Sequence, residues 1–150
     1  MTRHRRSAGR RGAGRLAADG QHGHDARLAR SPAGSRALNR IQEVRRRVAA
    51  EGPPRAIEHD FETVALPARD CDLVRDLLLT EGARTVVEIG LAFGSSALAV
   101  AEALAGVPDS RHVIVDPFQT SGFAGAGWEL LCDAGLDGIA TLTQEPSSIV

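Results

Sequence analysis

The chain of 150 residues is long enough for one domain, and its hydrophobic share of 43% is ordinary for a globular protein. Its formal net charge of -1 conceals two unlike parts, because residues 1–55 hold 14 Arg and four acidic residues while residues 56–150 hold four Arg and 15 acidic residues. No apolar run approaches the roughly 18 residues of a membrane helix, and no C-x-x-C motif is present, which argues against a membrane protein and a disulfide framework. We therefore expect a cytoplasmic protein in which Cys71 and Cys132 are buried free thiols.

Residues 1–35 consist mainly of Arg, Gly, Ala, Ser and His, with almost no large apolar side chains. Such a segment cannot bury enough surface to offset its ordering entropy, so we predict a disordered, Arg-rich tail. Clustered Arg attracts phosphate groups, which makes a nucleic-acid-binding or assembly module one alternative function. No aromatic residue or recognition motif accompanies the charge, and a nucleic-acid partner is not expected.

Two amphipathic helices are predicted within residues 36–82, ahead of the first strand. The first runs from Arg36 to Glu51, with Ser35 as its cap and Gly52 as its stop. The second runs from Ala68 to Glu81 and ends at Gly82. The side chains expected to point inward from the second helix are Cys71, Val74, Leu77 and Leu78.

Residues 83–150 alternate between strand and helix patterns. Strands are predicted at 85–89, 112–115 and 139–143, and helices at 96–105 and 127–134. This alternation predicts an α/β fold with a Rossmann-like, doubly wound parallel sheet. The first strand is nearly all apolar, as is typical of a central strand that is covered on both faces.

The turn after the first strand is the best candidate for a binding site, because ligands of doubly wound sheets bind beyond the carboxyl ends of the strands. Gly90 and Gly94 permit backbone angles that other residues avoid, and Ser95 or Ser96 can cap the next helix. The free amides at that helix start favour a carboxylate or a phosphate. An NAD-binding oxidoreductase fragment is a second alternative, because it would use the same strand-end geometry, but the G-x-x-x-G spacing departs from the dinucleotide fingerprint and disfavours it.

The stretch Glu88-Ile-Gly90-x-x-x-Gly94-Ser95 resembles motif I of the class I S-adenosylmethionine-dependent methyltransferases. Asp116 ends the second strand 22 residues after Gly94, close to the spacing of ribose-binding acids in such folds. The step Asp116-Pro-Phe, followed by a helix with Trp128, is similar to one subgroup of this family. The resemblance implies S-adenosylmethionine as cofactor, a small-molecule methyl acceptor, ribose contacts from Asp116, and adenine contacts from Gln144, Glu145 and Ser147.

Simpler structural roles remain open for these residues. Glu88 is also suited to accept hydrogen bonds from backbone amides, Asp116 to shape a turn before Pro117, and Trp128 to pack in the core. No catalytic residue and no metal site is identified.

Members of the family that this sequence resembles have seven strands in the order 3-2-1-4-5-7-6, and this sequence supplies strands as far as the third. We expect residues 36–150 to form the N-terminal, cofactor-binding part of that fold. The first strand would then have a free edge and would lack half of its helical cover, which favours self-association.

Overall fold

The computed structural model describes residues 31–54 and 61–149. Over these residues the chain forms helices and strands in the following order: α1 (Pro32–Glu51), α2 (Phe61–Val64), α3 (Ala68–Glu81), β1 (Thr85–Ile89), α4 (Ser95–Leu104), β2 (Arg111–Val115), α5 (Ala126–Asp133) and β3 (Ala140–Thr143). Helix α3 and strand β1 have the predicted bounds, the later strands differ by one residue at one end, and α4 and α5 are shifted by one residue at both ends. The four-residue helix α2 was not predicted, because so short a helix shows no periodicity.

Helix α1 begins four residues earlier than the sequence predicted. Its cap is Ser31, whose Oγ accepts a hydrogen bond of 3.1 Å from the amide of Gly34, and Pro32 occupies the first turn. Residues 32–35 of the predicted tail are therefore helical, while residues 1–30 lie outside the described part of the chain. A Cβ on Gly34 would come within 2.7 Å of the Gly106 Cα, so glycine permits this helix start to pack on the turn after α4.

The three strands form one parallel sheet in the order β1-β2-β3. Val86 of β1 lies opposite His112 of β2, and His112 lies opposite Ala140 of β3. The fold class expected from the alternating pattern is confirmed. Because the strands are parallel, the turns that follow their carboxyl ends all lie along one edge of the sheet.

The hydrophobic core lies on one side of the sheet, between the strands and the helices α1, α4 and α5. Helix α4 is its centre, because every residue from Ala97 to Leu104 is buried. Four of these eight residues are Ala, and their small side chains allow neighbouring helices to approach α4 closely. The core residues contributed by the flanking elements include Ile41, Val44, Val48, Ile114, Leu130 and Leu131.

The opposite face of the sheet is exposed at β1. Val87 and Ile89 have 64% and 70% of their surface accessible, and β1 pairs only with β2 among the described strands. The cover on both faces that is typical of so apolar a strand is therefore missing on one face, as expected for a first strand without its fourth-strand neighbour, and the expected free edge is present among the described strands. Apolar composition alone does not report whether an element is present to cover a strand.

Two side chains that were predicted to be buried, those of Leu77 and Cys132, are exposed. Leu77 of α3 is 59% exposed, because α3 packs on α4 through the side that carries the buried Cys71. Cys132 is exposed rather than buried, since it lies at the end of α5 beyond the core residues Leu130 and Leu131. Both cysteines are free thiols, as predicted. No helix in the described ranges combines the length and apolarity that crossing a bilayer requires.

Candidate functional site

The turn between β1 and α4, residues 90–94, has three residues with left-handed backbone angles. Gly90 and Gly94 have φ values of 91° and 81°, and Ala92 between them has φ of 46°. The amide of Gly90 donates to Val115 O at 2.8 Å, which continues the β1-β2 ladder into the turn. The pattern of the turn is thus G-x-A-x-G, in which an alanine occupies a conformation that glycine adopts without strain.

Asp116 reaches this turn from the end of β2. Its Oδ2 accepts hydrogen bonds of 2.9 Å from the amides of both Leu91 and Ala92. Its Oδ1 accepts a third, also of 2.9 Å, from the amide of Phe118. The structure therefore brings together the two features that the sequence analysis selected, the bend after Ile89 and the acid at position 116.

The carboxylate of Asp116 is nevertheless inside packed protein. Only 3% of the residue's surface is accessible, and its oxygens already have backbone partners. These contacts correspond to the turn-shaping role before Pro117, which the sequence left open. A ribose hydroxyl would have to displace the amide of Leu91 or Ala92 at Oδ2, or compete with the amide of Phe118 at Oδ1.

Gln119 is a residue of this site that the sequence analysis missed. Its side chain is 1% exposed; Nε2 donates to Ala92 O at 2.9 Å and to Asp116 Oδ2 at 3.3 Å, while Oε1 accepts from the amide of Trp128 at 3.2 Å. It therefore ties the turn to the start of α5. A polar residue in an otherwise small or apolar loop was the available signal, but the sequence does not report its burial.

Gly127 allows the start of α5 to approach the turn. A Cβ at this position would lie 2.4 Å from Ala92 O and 2.9 Å from the Leu91 Cγ, distances that real Cβ atoms do not adopt. This requirement is independent of φ, since it follows from a close contact between two backbones. Together with Asp116 and Gln119, the close approach of Gly127 holds the turn in one arrangement.

Glu88 lies on the helix-covered side of β1, where its carboxylate contacts two side chains. Oε2 is 2.8 Å from His112 Nε2, and Oε1 accepts a short hydrogen bond from Ser96 Oγ. His112 is 1% exposed, so this pair lies within the core side of the sheet. Glu88 thereby links β1, β2 and α4 through side chains, rather than through the backbone amides considered from the sequence.

Neither serine caps α4 with its side chain. The cap residue is Gly94, and no side-chain hydrogen bond caps the helix start. The cap predicted for Ser95 or Ser96 is therefore wrong, because Ser96 donates to Glu88 and Ser95 lines a cavity whose wall does not include Asp116. Without a capping side chain, the first amides of α4 keep their capacity to bind an anion.

The residues after β3 form the outer part of this edge. Gln144 Oε1 accepts hydrogen bonds from the amide and the hydroxyl of Thr120, at 3.1 Å and 2.6 Å. Glu145 and Ser147 are exposed in the following turn. Within the described ranges, the hydrogen bonds that hold the turn at Ala92 do not involve them. No group of three or more His, Cys, Asp or Glu side chains suited to a metal ion occurs in the described part of the chain.

The architecture is similar to that of solved methyltransferases. The O-methyltransferase from Bacillus cereus in complex with SAH matches 70% of this chain and 42% of its own, with 22% identity and a TM-score of 0.50. TomG, an O-methyltransferase from Streptomyces achromogenes solved with SAM, matches 78% of this chain and 45% of its own, with 22% identity and a TM-score of 0.46.

The likeness to the Bacillus cereus structure shows that the described chain has the Rossmann-like α/β fold of methyltransferases. The chain spans less than half of the length of either solved structure. No protein-family model matches the sequence, and no curated protein matches it.

Proposed function

We propose that this chain is the cofactor-binding part of a class I S-adenosylmethionine-dependent methyltransferase that acts on a small-molecule acceptor. The observation that carries the proposal is the contact between the glycine turn and Asp116, made by two hydrogen bonds of 2.9 Å at the carboxyl edge of the parallel sheet. That edge is where doubly wound folds bind nucleotides. The solved methyltransferases of similar fold are complexes with SAH or SAM, which supports this cofactor.

The proposed contacts follow from the geometry of this edge. The uncapped amides at the start of α4, at Ser95, are placed to bind the carboxylate of the cofactor. Gly90 and Gly94 keep the backbone free of side chains, and Glu88 fixes the strand end through His112 and Ser96. Asp116 would hold the ribose hydroxyls, and Glu145 and Ser147 would border the adenine.

Binding by the isolated chain is expected to be weak, in the millimolar range. The reason is that the cofactor must exchange hydrogen bonds at Asp116 that the turn already satisfies, and an acceptor that is buried and satisfied gains little from a new partner. The measurement is a titration of the 15N-labelled chain with S-adenosylhomocysteine, followed by amide chemical shifts. We expect saturable shifts at residues 90–96 and none there with NAD.

Asp116→Asn is the test variant. Asp109→Asn, in the loop before β2, is its matched control. An amide at position 116 would offer one acceptor oxygen fewer to the backbone of the turn and to ribose. The affinity for the cofactor, taken from the concentration dependence of the amide shifts, should therefore fall about tenfold. Asp109→Asn should leave this affinity unchanged. Equal shifts with NAD would favour an oxidoreductase fragment, and no response of the turn to either compound would refute the proposed cofactor site.

We also propose that the free edge and exposed face of β1 allow self-association. Val87 and Ile89 present apolar side chains to solvent beside an edge that has no strand partner in the described chain. Exposed apolar strand edges favour pairing with another strand. This association would cover a surface that is distinct from the glycine turn.

A further inference from the structure

A second candidate site lies on the helical side of the fold, apart from Asp116. It is a cavity of about 310 Å³ between α1, α2, α3 and the start of α4. This volume falls at the lower end of the range of small-molecule sites in proteins. The apolar residues that form most of its wall include Val48, Phe61, Leu66, Pro67, Cys71 and Leu98.

The charged groups at the cavity do not favour a charged ligand. Arg45 lies in the wall, but its Nη1 binds Glu102 at 2.8 Å and its Nη2 binds Asp72 at 3.1 Å. Two carboxylates therefore compensate the guanidinium.

The thiol in the wall is neutral. Burial raises the pKa of Cys71 above its ordinary value, and its Sγ donates a weak hydrogen bond of 3.4 Å to Leu66 O. A buried neutral thiol behaves as a small, polarizable apolar group. The wall at this point is therefore suited to an apolar ring and not to an ion.

The cavity is also connected to the glycine turn. Phe61 in its wall meets Phe93 of the turn edge to face, with ring centroids 5.4 Å apart, and Ser95 at the start of α4 lines the cavity directly. An occupant would thus lie beside the backbone that forms the proposed cofactor site. Its binding, however, uses none of the hydrogen bonds made by Asp116.

We propose that this cavity binds a neutral, mainly apolar aromatic molecule of one or two rings. The size follows from the volume, since a cavity of roughly 150 Å³ is sufficient for benzene. The preference for a neutral ligand follows from the mainly apolar wall and from the compensated charge of Arg45. The proposal stands without the cofactor, so it can fail or succeed independently of the proposed function.

The test compares 2-naphthol, which is neutral, with 2-naphthoate, an anion of similar size, by ligand-observed NMR on the full chain without cofactor. We expect saturable binding of 2-naphthol and affinity at least about tenfold lower for 2-naphthoate. Ala49→Phe, at the cavity, should weaken 2-naphthol binding about tenfold. Ala50→Phe, the next residue of α1 and not part of the lining, should leave it unchanged.

A second readout needs no variant. In the 15N-labelled wild-type chain, 2-naphthol should shift the amide signals of Ala49 and Leu98 at the cavity and leave that of the exposed Cys132 at the end of α5 unchanged. The proposal is overturned if 2-naphthol does not saturate, if 2-naphthoate binds as tightly, or if the amide signals of Ala49 and Leu98 do not move. If Ala49→Phe is folded by circular dichroism and still binds equally well, the ligand occupies another surface and the assignment is wrong.

Discussion

Ala92 shows how side chains hold a backbone in a conformation that its own residue type disfavours. Its φ of 46° is left-handed, yet its amide donates to Asp116 and its carbonyl accepts from Gln119. Both polar groups of this peptide segment are therefore satisfied by buried side chains. A left-handed angle costs a residue with a Cβ about 1–2 kcal/mol, which these contacts have to offset.

Ala92→Gly should therefore stabilise the chain. Removing the Cβ relieves the strain, while the greater freedom of glycine in the unfolded chain offsets about 0.5–1 kcal/mol, so we expect a net gain of roughly 0.5–1 kcal/mol in the free energy of unfolding. Urea denaturation measures the change. The control is Ala50→Gly on the exposed side of α1, which should lower the stability by about 1 kcal/mol. A loss of stability in both variants would show that Ala92 is not strained.

At the scale of elements, α4 is held by a buried charge as well as by its small apolar residues. Glu102 is 3% exposed and binds Arg45 of α1 at 2.8 Å and Arg75 of α3 at 3.3 Å. Burial alone would lower the pKa of Arg45, but the hydrogen bonds and charges of Glu102 and Asp72 outweigh it, and the pKa is raised. The network thus fixes the positions of three helices around the wall of the cavity.

Glu102→Gln should lower the free energy of unfolding by about 2–3 kcal/mol. The reason is that two guanidinium groups would lose their shared buried partner, and the figure lies below that of a fully buried pair because Arg45 and Arg75 have side-chain exposures of 17% and 27%. Asp133→Asn is the matched control, since it breaks the exposed pair with Arg47 and should cost less than about 1 kcal/mol. Equal effects in urea denaturation would contradict a structural role for the network.

At the scale of the whole molecule, the two faces of the described sheet differ in how far helices cover them. Helices α1, α4 and α5 cover one face of the sheet, whereas Val87 and Ile89 on the other face are exposed beside the free edge of β1. This gives the described chain an apolar surface that a neighbouring strand would bury. The expected neighbour in a purified sample is a second copy of the chain.

Val87→Lys should therefore reduce self-association, because a charge on the exposed side of β1 would be desolvated by an added partner. Sedimentation velocity across a dilution series should show reversible association of the wild-type chain and a shift toward monomer in the variant. Thr141→Lys is the control, since Thr141 lies in the same row of the sheet but on β3, at the opposite edge of the three described strands and outside the apolar surface of Val87 and Ile89. A wild-type chain that stays monomeric throughout would refute association through β1.

Local patterns were sufficient to predict the order of the elements that form the sheet. Helix α3 ends at Gly82 with a left-handed angle, and β1 covers the predicted Thr85–Ile89, because helix stops and apolar strand runs depend on adjacent residues. Ser31 and Pro32 gave an equally local signal for the start of α1, although the cap was predicted at Ser35. The position of Asp116 relative to the glycine turn also followed from parallel strand order.

The sequence by itself determined the α/β alternation and which residues reach the carboxyl edge of the sheet, because both depend on periodicity and chain order. Tertiary structure decided how those residues are used: Asp116 is surrounded by amides, Gln119 is buried, and Gly127 permits a backbone contact. It also decided that Val87 is exposed although its type favours burial. Such outcomes depend on atoms brought together from distant positions, and burial and hydrogen-bond partners are properties of that packing rather than of any one residue.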